Sequence, residues 1–507
     1  MAELLLGIDI GTTNVKAAVY DSDLKFIAEA SSEHPTNFPF AGGAEQDPIQ
    51  WWAGVTAAVK ELLGKTQVDA RRIAGICVSS QAPALVPIDR EGKIVRNAMI
   101  WMDRRAEGQC AKIREQLGTK EVLAITGNKI DPYFLLGKML WFKEKEYEKY
   151  AVTDKILQVN GYINYKLTGK CTIDKVHASL TGIYDIHRGT WSQTILQALG
   201  LSGNKLPEVY GSTEVIGTVG KEAAQAMGLS EGIPVVAGNV DASSSALESG
   251  VLGEGEAVDM TGTSTVLMIG SGRWRSSETL VSMHHPVGNN TLLFGPISST
   301  GASLKWFKDQ LGKQETEAAR ELGLGCFDIL NLQAQKANPG ANNLVFLPYM
   351  AGERAPIWDT NARGVFFGLN FNTTKNDMVR AILEGSAFAL RQNMEEAAKM
   401  GVEIKNLRAV GGGSKSPLWL QIKASITKTP VITIEKASSG AFGNTLLAGQ
   451  GIGLYGDIAS VLKNNIKFKT VYTPDESLYD RYDKLYDIYK AIYMNTRDEM
   501  RKLSQMG

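Results

Sequence analysis

Two short stretches, far apart in the chain, constrain its fold more than any other feature. Asp9-Ile10-Gly11-Thr12-Thr13 and Asp259-Met260-Thr261-Gly262-Thr263-Ser264 align once a single residue is inserted, and each runs into an apolar segment, residues 15–20 and 265–269. Strand, Gly/Thr turn and strand, written twice, predict a duplicated pair of α/β domains facing a common cleft. Just before the second copy lies Ser249-Gly250-Val251-Leu252-Gly253-Glu254-Gly255, a glycine-rich stretch of the kind that joins domains. The boundary is therefore expected near residue 250, giving domains 1–249 and 250–507. A length of 507 residues suits this division, since domains run to roughly 100–200 residues each.

The first copy opens with three expected short strands, residues 4–10, 15–20 and 26–30, which read as an antiparallel start. An amphipathic helix is expected over 48–63, behind Asp47 and with Pro48 in its first turn. Hydrophobic residues make up 44% of the chain and charged residues 21%, enough apolar surface for large cores. Lys plus Arg and Asp plus Glu both number 54, so no whole-chain field recruits nucleic acid or an anionic membrane. Cys77, Cys110, Cys171 and Cys326 are scattered, without a CxxC pair or zinc-ligand spacing. They read as reduced, mostly buried thiols. The N-terminal apolar run is short and carries Glu3 and Asp9, unlike a signal peptide. No stretch reaches the roughly 18 apolar residues of a membrane span. A soluble cytoplasmic protein is expected, with no nucleic-acid or membrane partner.

Four constellations carry chemistry. In Gly7-Ile8-Asp9-Ile10-Gly11-Thr12-Thr13-Asn14-Val15-Lys16, a strand ends in a carboxylate and a Gly-Thr-Thr turn. Backbone N–H groups and hydroxyls there suit phosphate oxygens, and Asp9 suits a hydrated Mg²⁺; the same residues also suit an ordinary hairpin turn. The P-loop spacing is missing. Thr261-Gly262-Thr263-Ser264 repeats the theme, and its symmetry with the first turn is what lifts it above a common Gly-Thr turn. Val235-Val236-Ala237-Gly238-Asn239-Val240-Asp241-Ala242 is an apolar strand that presents Asp241 before a small-residue helix start, as a helix N-cap or as a general base. Ala409-Val410-Gly411-Gly412-Gly413-Ser414-Lys415-Ser416-Pro417-Leu418-Trp419 would let a flat ligand lie on backbone. The five histidines form neither an HExxH nor a Ser/His/Asp pattern, and His284-His285 reads as structural.

With these motifs in this order, the sequence resembles the FGGY family of carbohydrate kinases from Gly7 to about Gly456. Ala44-Glu45-Gln46-Asp47-Pro48, Ile100-Trp101-Met102-Asp103-Arg104-Arg105, and Tyr349-Met350-Ala351-Gly352-Glu353-Arg354-Ala355-Pro356 on to Gly364 add to the likeness. The resemblance implies an α/β fold of two duplicated actin-like (ribonuclease H-like) ATPase domains around a central cleft, the sugar bound by the N-terminal half and ATP with Mg²⁺ mainly by the C-terminal half. It implies Asp241 as catalytic base and Asp9 as metal ligand. Gly11, Thr12, Thr13, Lys16, Gly262, Thr263 and Gly301 then fall to the nucleotide phosphates, and Gly412 and Gly413 to the adenosine. Substrate would meet Gln81, Trp101, Asp103, Tyr133 and Asp241.

The acceptor is less plainly written. Xylulokinases typically place Gln-Met-His, and glycerol kinases Gln-Arg-Glu, where this chain has Gln81-Ala82-Pro83. Asp131-Pro132-Tyr133-Phe134 looks like the glycerol-kinase segment, whereas Met283-His284-His285-Pro286 and Gly412-Gly413-Ser414-Lys415-Ser416 look like xylulokinase. The expectation is a xylulokinase-like enzyme for a ketopentose such as xylulose, with a glycerol, erythritol or gluconate kinase as alternatives and a homodimer as the expected assembly. An actin-like chaperone or filament protein is the non-kinase alternative; the 352–364 stretch and Asp241 argue against it. A catalytically dead sugar sensor would be expected to lose Asp9 or Asp241, and both are present.

Overall fold

A computed structural model describes residues 3–66, 68–435 and 441–506. The chain forms two compact units. Unit 1 comprises Met1–Leu252, Gly272–Leu292 and Ser438–Asn465; unit 2 comprises Gly253–Ser271, Leu293–Ala437 and Ile466–Gly507. The crossing at Leu252/Gly253 lies within the glycine-rich stretch. Two later segments return to unit 1, which a single cut near residue 250 does not anticipate.

Unit 1 is built on a six-stranded sheet. Its strands are β1 (Leu4–Ile10), β2 (Asn14–Asp21), β3 (Phe26–Glu33), β4 (Ile73–Ser80), β5 (Val215–Thr218) and β6 (Pro234–Val240), in the order β5-β6-β4-β1-β2-β3. β1 pairs antiparallel with β2 and parallel with β4. Being central, β1 reads as a nearly unbroken apolar run, because both its faces are covered. Edge strand β3 instead alternates buried Ala28 and Ala30 with exposed neighbours. Helix α1 (Pro48–Thr66) starts where expected, with Asp47 Oδ1 accepting the Ile49 N–H at 2.9 Å. Its Val55 and Val59 pack with Leu6, Ile8, Val78 and Val235 in one apolar core.

Unit 2 repeats the plan. β7 (Glu256–Thr261), β8 (Thr265–Ser271), β9 (Thr291–Ile297, in unit 2 from Leu293), β10 (Asn406–Val410), β11 (Val431–Ile434) and β12 (Phe468–Tyr472) lie in the order β9-β8-β7-β10-β11-β12. The first strand is again central, antiparallel to its hairpin partner β8 and parallel to β10, with an antiparallel strand at the far edge. Both units thus carry the duplicated α/β plan that the repeat predicted, in the actin-like ATPase form that the resemblance implied. All four cysteines are free, but only Cys77 and Cys110 are buried; Cys171 and Cys326 are half-buried. Among the described residues no helix is long and apolar enough to cross a membrane.

Candidate active site

In unit 1 the turn after β1 is closed by Gly11 N–H donating to the Asn14 carbonyl at 2.9 Å. Asp9, one residue from the end of β1, lies opposite Lys16 across the β1/β2 hairpin and beside Ser79 of β4. Ser79 Oγ donates to Asp9 Oδ1 at 2.6 Å. Burial raises the Asp9 pKa; the Ser79 bond and the Lys16 charge pull against it.

Asp241 reaches the same region from β6. A one-residue bulge separates the Val236–Cys77 pairing from the Asn239–Ser79 pairing, and Gly238 sits in it with φ +88°. A Cβ there would lie 2.0 Å from the Val78 carbonyl oxygen, so only glycine lets the strands approach this closely. Asp241 is the first residue of helix α2 (Asp241–Glu248), not its cap; Val240 holds that place. Asp241 Oδ1 accepts the Ala242 N–H at 2.6 Å. Burial, and after it the charge of Asp9, push the Asp241 pKa up to about 8. Two carboxylates that disfavour each other's charge are what a divalent cation relieves, so the residues present fit one. Among the described residues no three His, Cys, Asp or Glu side chains form a metal-holding group. A cation at this pair would therefore take most of its ligands from phosphate and water, which suits Mg²⁺.

The expected substrate residues gather in unit 1. Trp101 Nε1 donates to Thr12 Oγ1 at 3.1 Å, and Tyr133 Oη donates to the Ala82 carbonyl at 3.0 Å. Gln81 is 1% exposed. Its Nε2 donates to Gln46 Oε1 at 2.7 Å, while its Oε1 is buried without a partner. Asp103 is placed differently from the expectation that it receives substrate hydroxyls. It is fully buried, with Oδ2 accepting the Ala44 N–H at 2.7 Å and both oxygens engaged by the Arg105 guanidinium. A carboxylate so occupied holds the 44–46 and 103–105 segments together and has little left for a hydroxyl.

Unit 2 gathers its own expected residues around Thr261. Gly262 N–H donates to the Ser264 carbonyl at 2.8 Å, and Ala302 N–H, at the start of helix α3 (Thr300–Leu311), donates to the Thr263 carbonyl at 2.8 Å. A Cβ on Gly301 would lie 2.0 Å from the Gly262 oxygen. On the other side the glycine run packs on Thr261: a Cβ on Gly411 would lie 2.6 Å from its carbonyl oxygen, and one on Gly413 2.6 Å from its Cγ2. Helix α4 (Pro417–Thr427) follows, with Ser416 as cap accepting the Trp419 N–H at 3.2 Å. Its Lys423, almost wholly buried, pairs with Asp259 and donates to Thr261 Oγ1 at 2.7 Å.

Residues 4–248 match the FGGY family of carbohydrate kinases, N-terminal domain, and residues 257–451 match its C-terminal domain. The chain belongs to the FGGY family of carbohydrate kinases. As a member it is an ATP-dependent sugar kinase. It is 32% identical to the xylulose kinase of Bacillus subtilis (strain 168) over 97% of both chains. Two solved structures from Lactobacillus acidophilus, each 27% identical, superpose over 99% of this chain and 100% of theirs: a ligand-bound xylulose kinase at a TM-score of 0.90 and a gluconate kinase at 0.91.

Sequence reasoning missed three side chains in this FGGY kinase. Gln46 Nε2 donates to the Thr12 carbonyl at 2.7 Å, and its Oε1 accepts from both Gln81 and Trp51, so it fixes the first turn to Gln81. Its place in the quoted Ala44–Pro48 motif was the available signal. Asn239 is fully buried with neither amide atom partnered, two residues before Asp241. Lys423 gave no signal, since its partner Asp259 lies 164 residues away in the chain.

Proposed function

We propose that this FGGY kinase transfers the γ-phosphate of ATP to a hydroxyl of a ketopentose such as xylulose, with Asp241 as general base. The observation that carries the reading is the Asp9/Asp241 pair. Burial and a neighbouring charge bring the Asp241 pKa to about 8, so it exchanges a proton near neutrality, which a base accepting a hydroxyl proton must do. The hydroxyl oxygen attacks the γ-phosphorus as Asp241 takes its proton, and ADP leaves. Asp9 would hold Mg²⁺, which when bound supplies charge neutralisation at the phosphates.

Glycine usage supports the nucleotide assignment. Gly7, Gly238 and Gly301 are required by backbone packing, whereas a Cβ at Gly11 would make only ordinary contacts with Asn14, at 3.5 and 3.7 Å, and one at Gly262 would meet nothing within 4 Å. Glycines that the fold itself does not need leave room for a phosphate to approach the backbone of the turn closely. In the proposal Gly11, Thr12, Thr13 and Lys16 of unit 1, and Gly262 and Thr263 of unit 2, serve the phosphates, Gly301 acts by packing behind the Gly262 turn, and Gly412 and Gly413 serve the adenosine. The same proposal assigns 1–249 to the sugar and 250–507 mainly to the nucleotide. A homodimer in the cytoplasm belongs to the same proposal.

On the acceptor side, the unpartnered buried Oε1 of Gln81 is suited to a sugar hydroxyl, since a buried acceptor left unpaired costs about 1–3 kcal/mol. Trp101 and Tyr133 suit the C–H face of the sugar. Ala82 and Pro83 offer no side-chain hydrogen bond, so glycerol, with three hydroxyls to hold it, loses most. The likeness to a gluconate kinase favours gluconate as the second reading. ADP release with D-xylulose, L-xylulose, D-ribulose, gluconate, glycerol, erythritol and xylitol tests both. A ketopentose is expected to lead, with glycerol lower by at least about tenfold in kcat/KM. Gluconate in first place would install the second reading, and glycerol matching every five-carbon compound would overturn the pocket argument.

A further inference from the structure

Helix α5 (Phe442–Gly451) belongs to unit 1 although its residues follow the main body of unit 2 in the chain. It packs against β1, β4 and α2, the elements that carry Asp9, Ser79 and Asp241. Three observations show how tight that junction is. A Cβ on Gly443 would lie 2.5 Å from Ser244 Oγ and 2.6 Å from the Ser244 carbonyl, so glycine is required where α5 meets α2. Glu248, at the end of α2, accepts the Gly443 N–H at 2.9 Å. A Cβ on Gly7 of β1 would lie 2.2 Å from the Ala441 carbonyl oxygen, at the residue just before α5.

At the centre of the junction is Asn444, fully buried. Its Nδ2 donates to the Ile8 carbonyl at 2.8 Å, on the residue preceding Asp9, and to Ser79 Oγ at 2.7 Å. Ser79 in turn donates to Asp9 Oδ1 at 2.6 Å. On its other side, Asn444 Oδ1 accepts from Ser244 Oγ at 3.1 Å, three residues into the helix that Asp241 begins. One amide therefore ties the strand of Asp9, the hydroxyl that orients its carboxylate, and the helix of Asp241. The direction of donation is fixed along this path. An amide NH₂ can only donate, so the Ser79 oxygen accepts from Asn444 and its single proton is left for Asp9. An alanine at 444 would free the Ser79 hydroxyl to rotate, and Asp9 would lose a fixed donor while staying buried.

We propose that Asn444 is a positioning residue that acts through Ser79 to hold the Asp9 carboxylate for the cation, and through Ser244 to keep the Asp241 helix in register with it. The proposal rests on the reading of Asp9 as the residue that holds Mg²⁺. Loss of an orienting partner behind a metal ligand typically costs about 10- to 100-fold in affinity or activity, so Asn444→Ala and Ser79→Ala should each lower kcat about tenfold or more.

The test is a double-mutant cycle on the full chain with two readouts. One is turnover with the best acceptor of the panel as a function of Mg²⁺. The other is Mn²⁺ binding to the protein with ADP but no acceptor, followed by the free-Mn²⁺ electron paramagnetic resonance signal. Both single variants should weaken Mn²⁺ binding and raise the Mg²⁺ needed for half-maximal turnover. The double variant should be no worse than the poorer single, because both act along one path. Additive losses, or single variants that bind Mn²⁺ as the wild type does, would overturn the proposal. Asp9→Asn is the control for the underlying reading. If it too leaves Mn²⁺ binding unchanged, the assignment of Asp9 fails; if it abolishes binding while Ser79→Ala and Asn444→Ala do not weaken it, only the positioning claim fails. Should Asn444→Ala not fold, Ser79→Ala and Ser244→Ala each remove one arm and decide the matter. Unchanged Mn²⁺ binding in Ser79→Ala would refute the Asp9 arm, and unchanged kcat in Ser244→Ala the Asp241 arm.

Discussion

Asp9 and Asp259 occupy matching places in the two units, each near the end of a central first strand and just before a Gly/Thr turn. Their surroundings differ in sign. Asp9 is held by a serine hydroxyl, and its charge in turn disfavours that of Asp241. Asp259 is neutralised by Lys423, with Thr261 Oγ1 donating to it at 2.5 Å. The duplication thus preserved the backbone and divided the chemistry. A carboxylate with an unmet demand for positive charge can serve a cation, whereas one already paired can only brace its turn. In unit 2 what remains for a ligand is backbone, at Gly262 and Gly412.

The comparison breaks most visibly at Asp241, where the largest effect is expected. Asp241→Asn keeps the shape and removes the proton acceptor, so kcat should fall by about 10²–10⁴-fold. Sugar binding, followed by calorimetry without nucleotide, should be largely retained. Turnover within tenfold of wild type would mean that the paired carboxylates of unit 1 are not the reactive ones.

Lys423→Met probes the other side of the comparison. It leaves the fully buried Asp259 without a cation, and breaking a buried pair from one side costs about 3–5 kcal/mol. Urea denaturation should show this loss, and Lys423→Met combined with Asp259→Leu should restore much of it. If the single variant is as stable as wild type, Asp259 is not neutralised by Lys423, and the contrast between the units collapses.

A third pair of variants sharpens the difference between glycines that serve the fold and glycines that serve a ligand. Gly301→Ala drives a methyl against the Gly262 carbonyl and should cost about 1–3 kcal/mol of stability. Gly262→Ala meets no atom of the protein within 4 Å, so its stability should be unchanged while its KM for ATP rises. Equal stability losses in the two would remove the argument that Gly262 is kept for a phosphate.

Much of this was legible beforehand because strands and turns write themselves locally. The nearly unbroken apolar run of residues 4–10, the hairpin turns and the repeat of Asp9 at Asp259 needed only neighbouring residues to be read, and the strands formed as expected. What escaped depends on side chains distant in sequence. Asp9 and Asp259 looked alike because Lys423 and Ser79, which make them different, lie far along the chain. Asp103 read as a sugar ligand although Arg105, two residues on, engages both its oxygens; the Ala44 N–H that completes its set comes from 59 residues away. The return of residues 272–292 and 438–465 to unit 1 is a matter of tertiary packing that local composition does not encode, so Asn444 could not be placed beside Asp9.

The smallest expected effect is one of stability against pH, and its sign is decisive. The folded-state pKa of Asp241 is about 8 and that of Asp9 is also raised, against an unfolded value of about 3.9. Below about pH 4 both forms of the chain hold these protons. As pH rises from there, the unfolded chain releases them while the folded one retains them, so folding binds protons and stability falls with pH, for Asp241 until it titrates near 8 in the folded protein. Unit 1 should therefore be strained at alkaline pH in a way that the Lys423-neutralised carboxylate of unit 2 is not. Asp241→Asn removes the cost. In EDTA and without ligands, its advantage over wild type should be smallest near pH 4, grow to about pH 8 and level off above. Because Asp241 is half-buried, screening should hold the gain to roughly 1–2 kcal/mol, read as a few degrees in Tm. Calorimetric scans at pH 5, 7 and 9 check it. An advantage that shrinks with rising pH would show that Asp241 is stabilised as a charge in the folded protein, and the pairing with Asp9 would have to be abandoned.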